Sequence, residues 1–200
     1  MNSPVVVFDL GKVLVDFDYS IAARRIAAQS QKPLAEIKVL IEQSRFIIDY
    51  ETGRVTRQEF YERVREATGF GGTLGEFSGF FADIFSEIPL MIELHASLRR
   101  RGMPTWIFSN TNDLAVEHIR KNFPFFQNFD GYILSYEVGA MKPDAKIYEA
   151  LEKITGRHGT DILYLDDRAE NVAGGAARSW RTILHETPEK TLAAVEKLQL

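Results

Sequence analysis

The sequence predicts an α/β fold: a Rossmann-like, doubly wound parallel sheet with a helical cap domain inserted after its first strand. Three observations predict it. Short apolar runs rich in β-branched residues recur along the chain, helical stretches alternate with the later ones, and one long block between the first run and the second is helical throughout. Regular alternation of strand and helix is the pattern of a parallel sheet covered on both faces.

Pro4–Leu10 (PVVVFDL) has the continuous apolar character of a buried parallel strand. Similar runs follow at Thr105–Phe108, Tyr132–Leu134, Ile162–Leu165 and Thr182–Leu184. Helices are expected over Met91–Arg101, Asn112–Asn122, Asp144–Thr155 and Glu170–Arg178, and Thr187-Pro188 reads as an N-cap and a first-turn proline opening a closing helix. From about Asp18 to Phe85 the alternation stops. Tyr19–Gln29 and Leu34–Gln43 carry apolar residues at helical spacing, and Thr56-Arg57-Gln58-Glu59 is a capping box that opens a helix to about Thr68. Gly69–Gly72 breaks it, and Leu74–Phe85 reads as a further helix whose phenylalanines, Phe77, Phe80, Phe81 and Phe85, suit a core. No strand is expected in this block. It is too long for a simple crossover, so residues 18–85 are assigned to the cap and residues 1–17 with 86–200 to the core domain.

The chain has 200 residues, 45% hydrophobic and 26% charged, with a net charge of −4, the proportions of a soluble globular protein. No apolar run approaches the roughly 20 residues of a bilayer span, and Met1-Asn2-Ser3-Pro4 lacks the basic, apolar start of a leader. The expectation is a cytoplasmic protein with no membrane partner; no oligomeric state is implied. The absence of cysteine removes thiol nucleophiles, thiolate zinc sites and iron–sulfur clusters. Mild acidity argues against nucleic acid, and the one basic run, Arg99-Arg100-Arg101, sits at an expected helix end, where cations complement the dipole. The four histidines have no metal-ligand spacing and read as structural or surface residues.

Ligands of open α/β sheets bind beyond the carboxyl ends of the strands. Asp9 closes the first run, Ser109-Asn110-Thr111-Asn112 follows the second, Lys142-Pro143 follows the third and Asp166-Asp167 ends the fourth. Each has a bland reading alone: Asp9 as a turn residue, Ser109, Asn112 or Asp167 as an N-cap, Lys142 as a solvated cation. Together they put three carboxylates, a hydroxyl and a lysine at one crevice. Clustered carboxylates repel unless one takes a proton or a cation sits among them. A hard dication with oxygen ligands, Mg²⁺ above all, meets that need, and with Lys142 it would make a phosphate tolerable.

These segments resemble the four motifs of the haloacid dehalogenase-like (HAD) hydrolase superfamily. Phe8–Leu14 is similar to the first motif, Phe108–Asn112 to the second, Met141–Tyr148 to the third and Leu165–Asn171 to the fourth, in order and with a helical insert between the first two. The resemblance is to phosphatase-type members, in particular sugar-phosphate hydrolases. It implies Asp9 as a nucleophile that forms an aspartyl-phosphate, and Mg²⁺ held by Asp9, the Gly11 carbonyl and Asp167, with Asp166 bound directly or through water. Ser109 and the Asn110 amide would hold phosphate oxygens, Lys142 would neutralise charge, and Asn171 would orient the acidic pair.

The pattern departs from the family at Gly11, where such phosphatases carry a second aspartate as general acid and base. Either another group serves, such as Asp16, Asp18 or a cap residue, or the substrate needs little acid help, as a sugar 1-phosphate would. Phe46, Asp49, Tyr50 and Glu51 fall in an expected turn of the cap, where contact with substrate is the minor reading. The expected function is a Mg²⁺-dependent phosphatase for a small phosphorylated metabolite. The alternatives are a 2-haloacid dehalogenase and a catalytically silent binding protein.

Overall fold

Val5–Phe8 forms β1, and all four side chains are buried, because a central parallel strand is covered on both faces. The structure, a computed structural model, describes residues 4–198; Met1–Ser3, in the segment read as lacking a leader, lie outside the described residues. After β1 the chain makes a tight turn through Lys12, in the left-handed region at φ 60°, and enters β2 (Val15–Phe17). Five helices follow: α1 (Tyr19–Ala27), α2 (Leu34–Gln43), α3 (Arg45–Glu51), α4 (Arg57–Thr68) and α5 (Leu74–Ala82). The chain returns through β3 (Phe85–Glu87), antiparallel to β2 with Phe17 opposite Phe85. The alternating part comprises α6 (Pro89–Arg100), β4 (Thr105–Ser109), α7 (Asp113–Asn122), β5 (Gly131–Leu134), α8 (Ser135–Val138), α9 (Ala145–Thr155), β6 (Ile162–Asp166), α10 (Ala169–Ala176), β7 (Arg181–Leu184) and α11 (Pro188–Lys197).

The five long-range strands form one parallel sheet in the order β5-β4-β1-β6-β7. This is the expected Rossmann-like α/β architecture. Because β1 is flanked by β4 and β6, strand order switches there, and a crevice opens at the carboxyl ends. Side chains alternate across the sheet: Val6, Phe8, Ile107 and Leu165 join one buried cluster, while Val5, Val7, Phe108 and Tyr164 join the other with Tyr148 and Trp180. The helical insert has its own core of Ile26, Ile37, Phe60, Phe77 and Phe81, joined by Leu114 of α7.

Three local features differ from the sequence reading. The helix expected to reach Phe85 ends at Ala82, and Phe85 instead enters β3. Strands of three residues carry no readable periodicity, and β2 and β3 exist only as each other's partner. The expected turn at Phe46–Glu51 is helix α3, opened by Ser44, whose hydroxyl accepts from the Phe46 amide at 3.1 Å. Among the described residues, no helix is long and apolar enough to cross a membrane.

Candidate active site

The β-sheet register decides which side chains meet. Phe8 lies opposite Ile107 on β4 and Leu165 on β6, so the next residue, Asp9, comes level with Phe108 and Asp166. The Asp9 amide donates to the Leu165 carbonyl at 2.8 Å, fixing its position at the strand end. Lys142 enters from the loop between α8 and α9. Its Nζ is 3.0 Å from Asp9 Oδ1 and 2.6 Å from Asp166 Oδ2, and it donates to the Phe108 carbonyl at 2.8 Å. Asp9 Oδ1 also accepts from the Leu10 amide at 2.6 Å. Asp9 Oδ2 makes no hydrogen bond among the described residues.

The two adjacent carboxylates differ. Asp166 is fully buried, and protein donors occupy both its oxygens: the Arg168 amide at 2.8 Å and Asn171 Nδ2 at 3.0 Å on Oδ1, and Lys142 with the Tyr164 hydroxyl on Oδ2. Asp167 is half-buried and lines a cavity of about 600 Å³ together with Asp9, Gly11, Ser109, Asn110, Lys142 and Asn171. Of the candidate residues only Asp166 lies behind the cavity wall rather than on it. Asp9, Asp166 and Asp167 each offer an oxygen, all within 4.8 Å of one another. The bland reading of Asp167 as an N-cap fails, because α10 begins after Arg168 without a side-chain cap.

Burial pushes the Asp9 carboxyl well up, and the nearby negative charges of Asp166 and Asp167 add to this against the opposing pull of Lys142. Burial and the neighbouring Asp166 also raise Asp167. Asp166 goes the other way: burial would raise it, but the charge and hydrogen bond of Lys142, with the Tyr164 hydroxyl and the Arg168 amide, hold it below the usual range. Lys142 is held fully charged: burial opposes its charge, and the two carboxylates outweigh burial. Three carboxylates thus face one ammonium. Such a set of hard oxygens either keeps a proton on Asp9 or accepts a small dication, and its donor chemistry fits the latter.

The loop after β4 is braced from behind. The Asn110 side chain donates to the Lys142 carbonyl at 3.0 Å and accepts from the Lys142 amide at 2.7 Å, so only its backbone remains for a ligand. Ser135 bridges the amide and carbonyl of Thr111, and Asn112 caps α7 by accepting from the Ala115 amide. The bland cap reading therefore holds for Asn112. Ser109, whose hydroxyl reaches only the Asn110 carbonyl among the described residues, at 3.3 Å, lines the cavity.

Of the four insert residues weighed as substrate contacts, only Glu51 lines the cavity. Tyr50 donates to Asp113, Asp49 is paired with Arg45, Arg54 and Arg63, and Phe46 packs on the insert core. Sequence reasoning missed Tyr164, which clamps Asp166, and Tyr19, Lys38 and Glu42, which line the cavity from the insert. An i, i+3 pairing of Ile48 with Glu51 on α3 was the available signal for the insert face, once a helix there is known.

Comparison with known proteins agrees with this geometry. The chain is 24% identical over 190 residues to a D-ribitol-5-phosphate phosphatase of Bacteroides thetaiotaomicron, covering 90% of this chain and 91% of that protein. It is 22% identical to a sesquiterpene phosphatase of Aspergillus oryzae, covering 86% and 84%. A HAD family enzyme of Bacteroides thetaiotaomicron, crystallised with magnesium and inorganic phosphate, superposes with a TM-score of 0.82 at 22% identity, covering 92% of this chain and 94% of that one. Residues 4–177 match the haloacid dehalogenase-like hydrolase family; with the strand-end aspartates, serine and lysine gathered at one crevice, the chain belongs to that family and is a hydrolase.

Proposed function

We propose that this protein is a Mg²⁺-dependent phosphatase acting on a small phosphorylated metabolite, with Asp9 as the nucleophile. The observation that carries this reading is that Asp9, on the cavity wall, pairs with Lys142 at 3.0 Å through Oδ1, while Oδ2 has no hydrogen-bond partner among the described residues. Asp9 and Asp167, with the Gly11 carbonyl, would hold the metal. Asp166, with both oxygens taken by protein donors, would reach it through water and serve mainly to position Lys142. When bound, the dication supplies charge neutralisation for the phosphoryl oxygens and keeps Asp9 ionised.

The residues then divide the work. Ser109 and the Asn110 amide hold phosphoryl oxygens, with Asn110 held in place by its two hydrogen bonds to the Lys142 backbone. A carboxylate oxygen of Asp9 attacks phosphorus, the bond to the leaving alcohol breaks, and water later cleaves the aspartyl-phosphate. Lys142 balances charge on Asp9 throughout. The similarity to a D-ribitol-5-phosphate phosphatase supports a sugar or polyol phosphate, as do the polar groups on the insert side of the cavity, Lys38, Glu42 and Glu51.

The test is hydrolysis of p-nitrophenyl phosphate with Mg²⁺ and with EDTA. Metal-dependent turnover that falls by about 10⁴-fold in Asp9→Asn is expected. Halide release from a 2-haloacid without metal would overturn the reading in favour of a dehalogenase, and inactivity in both assays would leave a binding protein.

A further inference from the structure

We propose that Glu51, the last residue of α3, delivers the proton that the leaving alcohol needs, in place of the side chain that Gly11 lacks; this rests on the phosphatase reading above. The space beside Gly11 is already taken. A Cβ there would lie 2.8 Å from Cε1 of Phe17, and Phe17 is fixed by its β-pairing to Phe85 and its edge contacts with Tyr19 and Phe85. A side chain at that position would have to displace the Phe17 ring, and with glycine there the proton comes from elsewhere on the cavity wall.

The nearby aspartates are engaged as acceptors. Asp16 takes the Lys12 ammonium and the Phe17 amide, and does not line the cavity. Asp18 caps α1, accepting from the Ser20 amide at 2.8 Å and the Ser20 hydroxyl at 2.7 Å. These bonds hold both carboxyls below their ordinary range, ionised and without a proton to give. Glu42 is paired with Lys38 at 3.9 Å. Glu51 lines the same cavity as Asp9, Ser109 and Lys142 and has no hydrogen-bond or ion-pair partner among the described residues. Of the charged and titratable groups that line this cavity, Asp9, Lys12, Asp18, Tyr19, Lys38, Glu42, Lys142, Asp167 and Arg168, the Arg168 guanidinium and the Tyr19 phenol interact with Glu51. Burial lifts the Glu51 carboxyl to about 7, against the Arg168 guanidinium. A carboxylic acid that titrates near neutrality suits both halves of the reaction.

In the first half, Asp9 forms its bond to phosphorus as the phosphorus–oxygen bond to the alcohol breaks, and the Glu51 proton passes to the departing oxygen. In the second, the Glu51 carboxylate takes a proton from the attacking water, the acyl-phosphate bond breaks, and phosphate leaves with Asp9 and the Glu51 acid restored. One alcohol and one phosphate are formed from one ester and one water.

The experiment compares wild type with Glu51→Gln and Glu51→Asp on two substrates, an alkyl polyol phosphate and p-nitrophenyl phosphate. The ratio kcat/KM reports steps up to release of the alcohol. Glu51→Gln is expected to lose about 100-fold on the alkyl ester and about 3-fold on the aryl ester, whose leaving group needs little protonation. Glu51→Asp should recover part of the alkyl loss. The wild-type alkaline limb, with a midpoint near pH 7, should be absent in Glu51→Gln. An equal loss on both esters, a rise in KM at unchanged kcat, or a persistent alkaline limb would overturn the assignment. If wild type shows no metal-dependent phosphatase activity at all, the phosphatase reading itself fails, a result distinct from each of these.

Discussion

Arg57 Nε, at the start of α4, donates to Asp113 Oδ2, at the start of α7, at 2.9 Å. This ties the helical insert to the helix that carries the Ser109–Asn112 loop. Tyr50 of α3 donates to the other Asp113 oxygen, and Arg57 also reaches Glu117 at 2.6 Å. Asp113 therefore holds two groups of the insert, one of them the largely buried Tyr50. Asp113→Ala is expected to cost about 2 kcal/mol in urea unfolding, because the Tyr50 hydroxyl loses its partner, whereas Arg57→Ala should cost about 1 kcal/mol or less as a half-exposed pair. Equal costs would show that Tyr50 does not depend on Asp113.

Lys142 is the one ammonium between two buried carboxylates. Lys142→Met leaves both without it, and a loss of about 3–5 kcal/mol is expected at pH 7.5 in metal-free buffer. The sign with pH follows from linkage: without the cation, the folded-state carboxyls titrate above their unfolded values. The folded variant then binds more protons, and its deficit shrinks as pH falls toward 4. Urea midpoints across this range give the measurement, and a deficit that grows on acidification would contradict it.

Glu51 gives a stability prediction independent of turnover. Its folded-state value, about 7, lies above the ordinary glutamate value of 4.5. The folded state therefore loses stability relative to the unfolded chain as pH rises from about 4.5 to about 7. Glu51→Gln, which carries no charge, should match wild type at pH 4 and exceed it by about 1–3 kcal/mol at pH 8. A variant no more stable at pH 8 than at pH 4, relative to wild type, would refute the buried-charge account.

Gly11 and Phe17 should be energetically coupled. Gly11→Asp alone is expected to cost about 1–3 kcal/mol, since its Cβ meets the Phe17 ring at 2.8 Å. Combined with Phe17→Leu, the cost should be smaller than the sum of the single variants by about 1 kcal/mol. Strict additivity in a double-mutant cycle would place the clash elsewhere.

What the sequence determined by itself was the sheet and its strand-end chemistry. The valine-rich run Val5–Phe8 has to be a covered parallel strand, and Asp9, Ser109, Asp166 and Asp167 stand at or beside strand ends whose place is fixed by apolar pattern alone. The capping box at Thr56–Glu59 was equally local and forms as read. The tertiary structure alone decided the rest, because pairing between distant segments has no local signature. Phe17 meets Phe85 only through β2 and β3, and that meeting closes the space beside Gly11. The difference between Asp166 and Asp167, adjacent and identical in type, arises from Tyr164, Asn171 and Lys142 converging on one of them. In the sequence Glu51 was one of four polar or aromatic residues of an expected turn, none set apart from the others; its place on the cavity wall, its burial and the lack of a partner among the described residues came only with the folded insert.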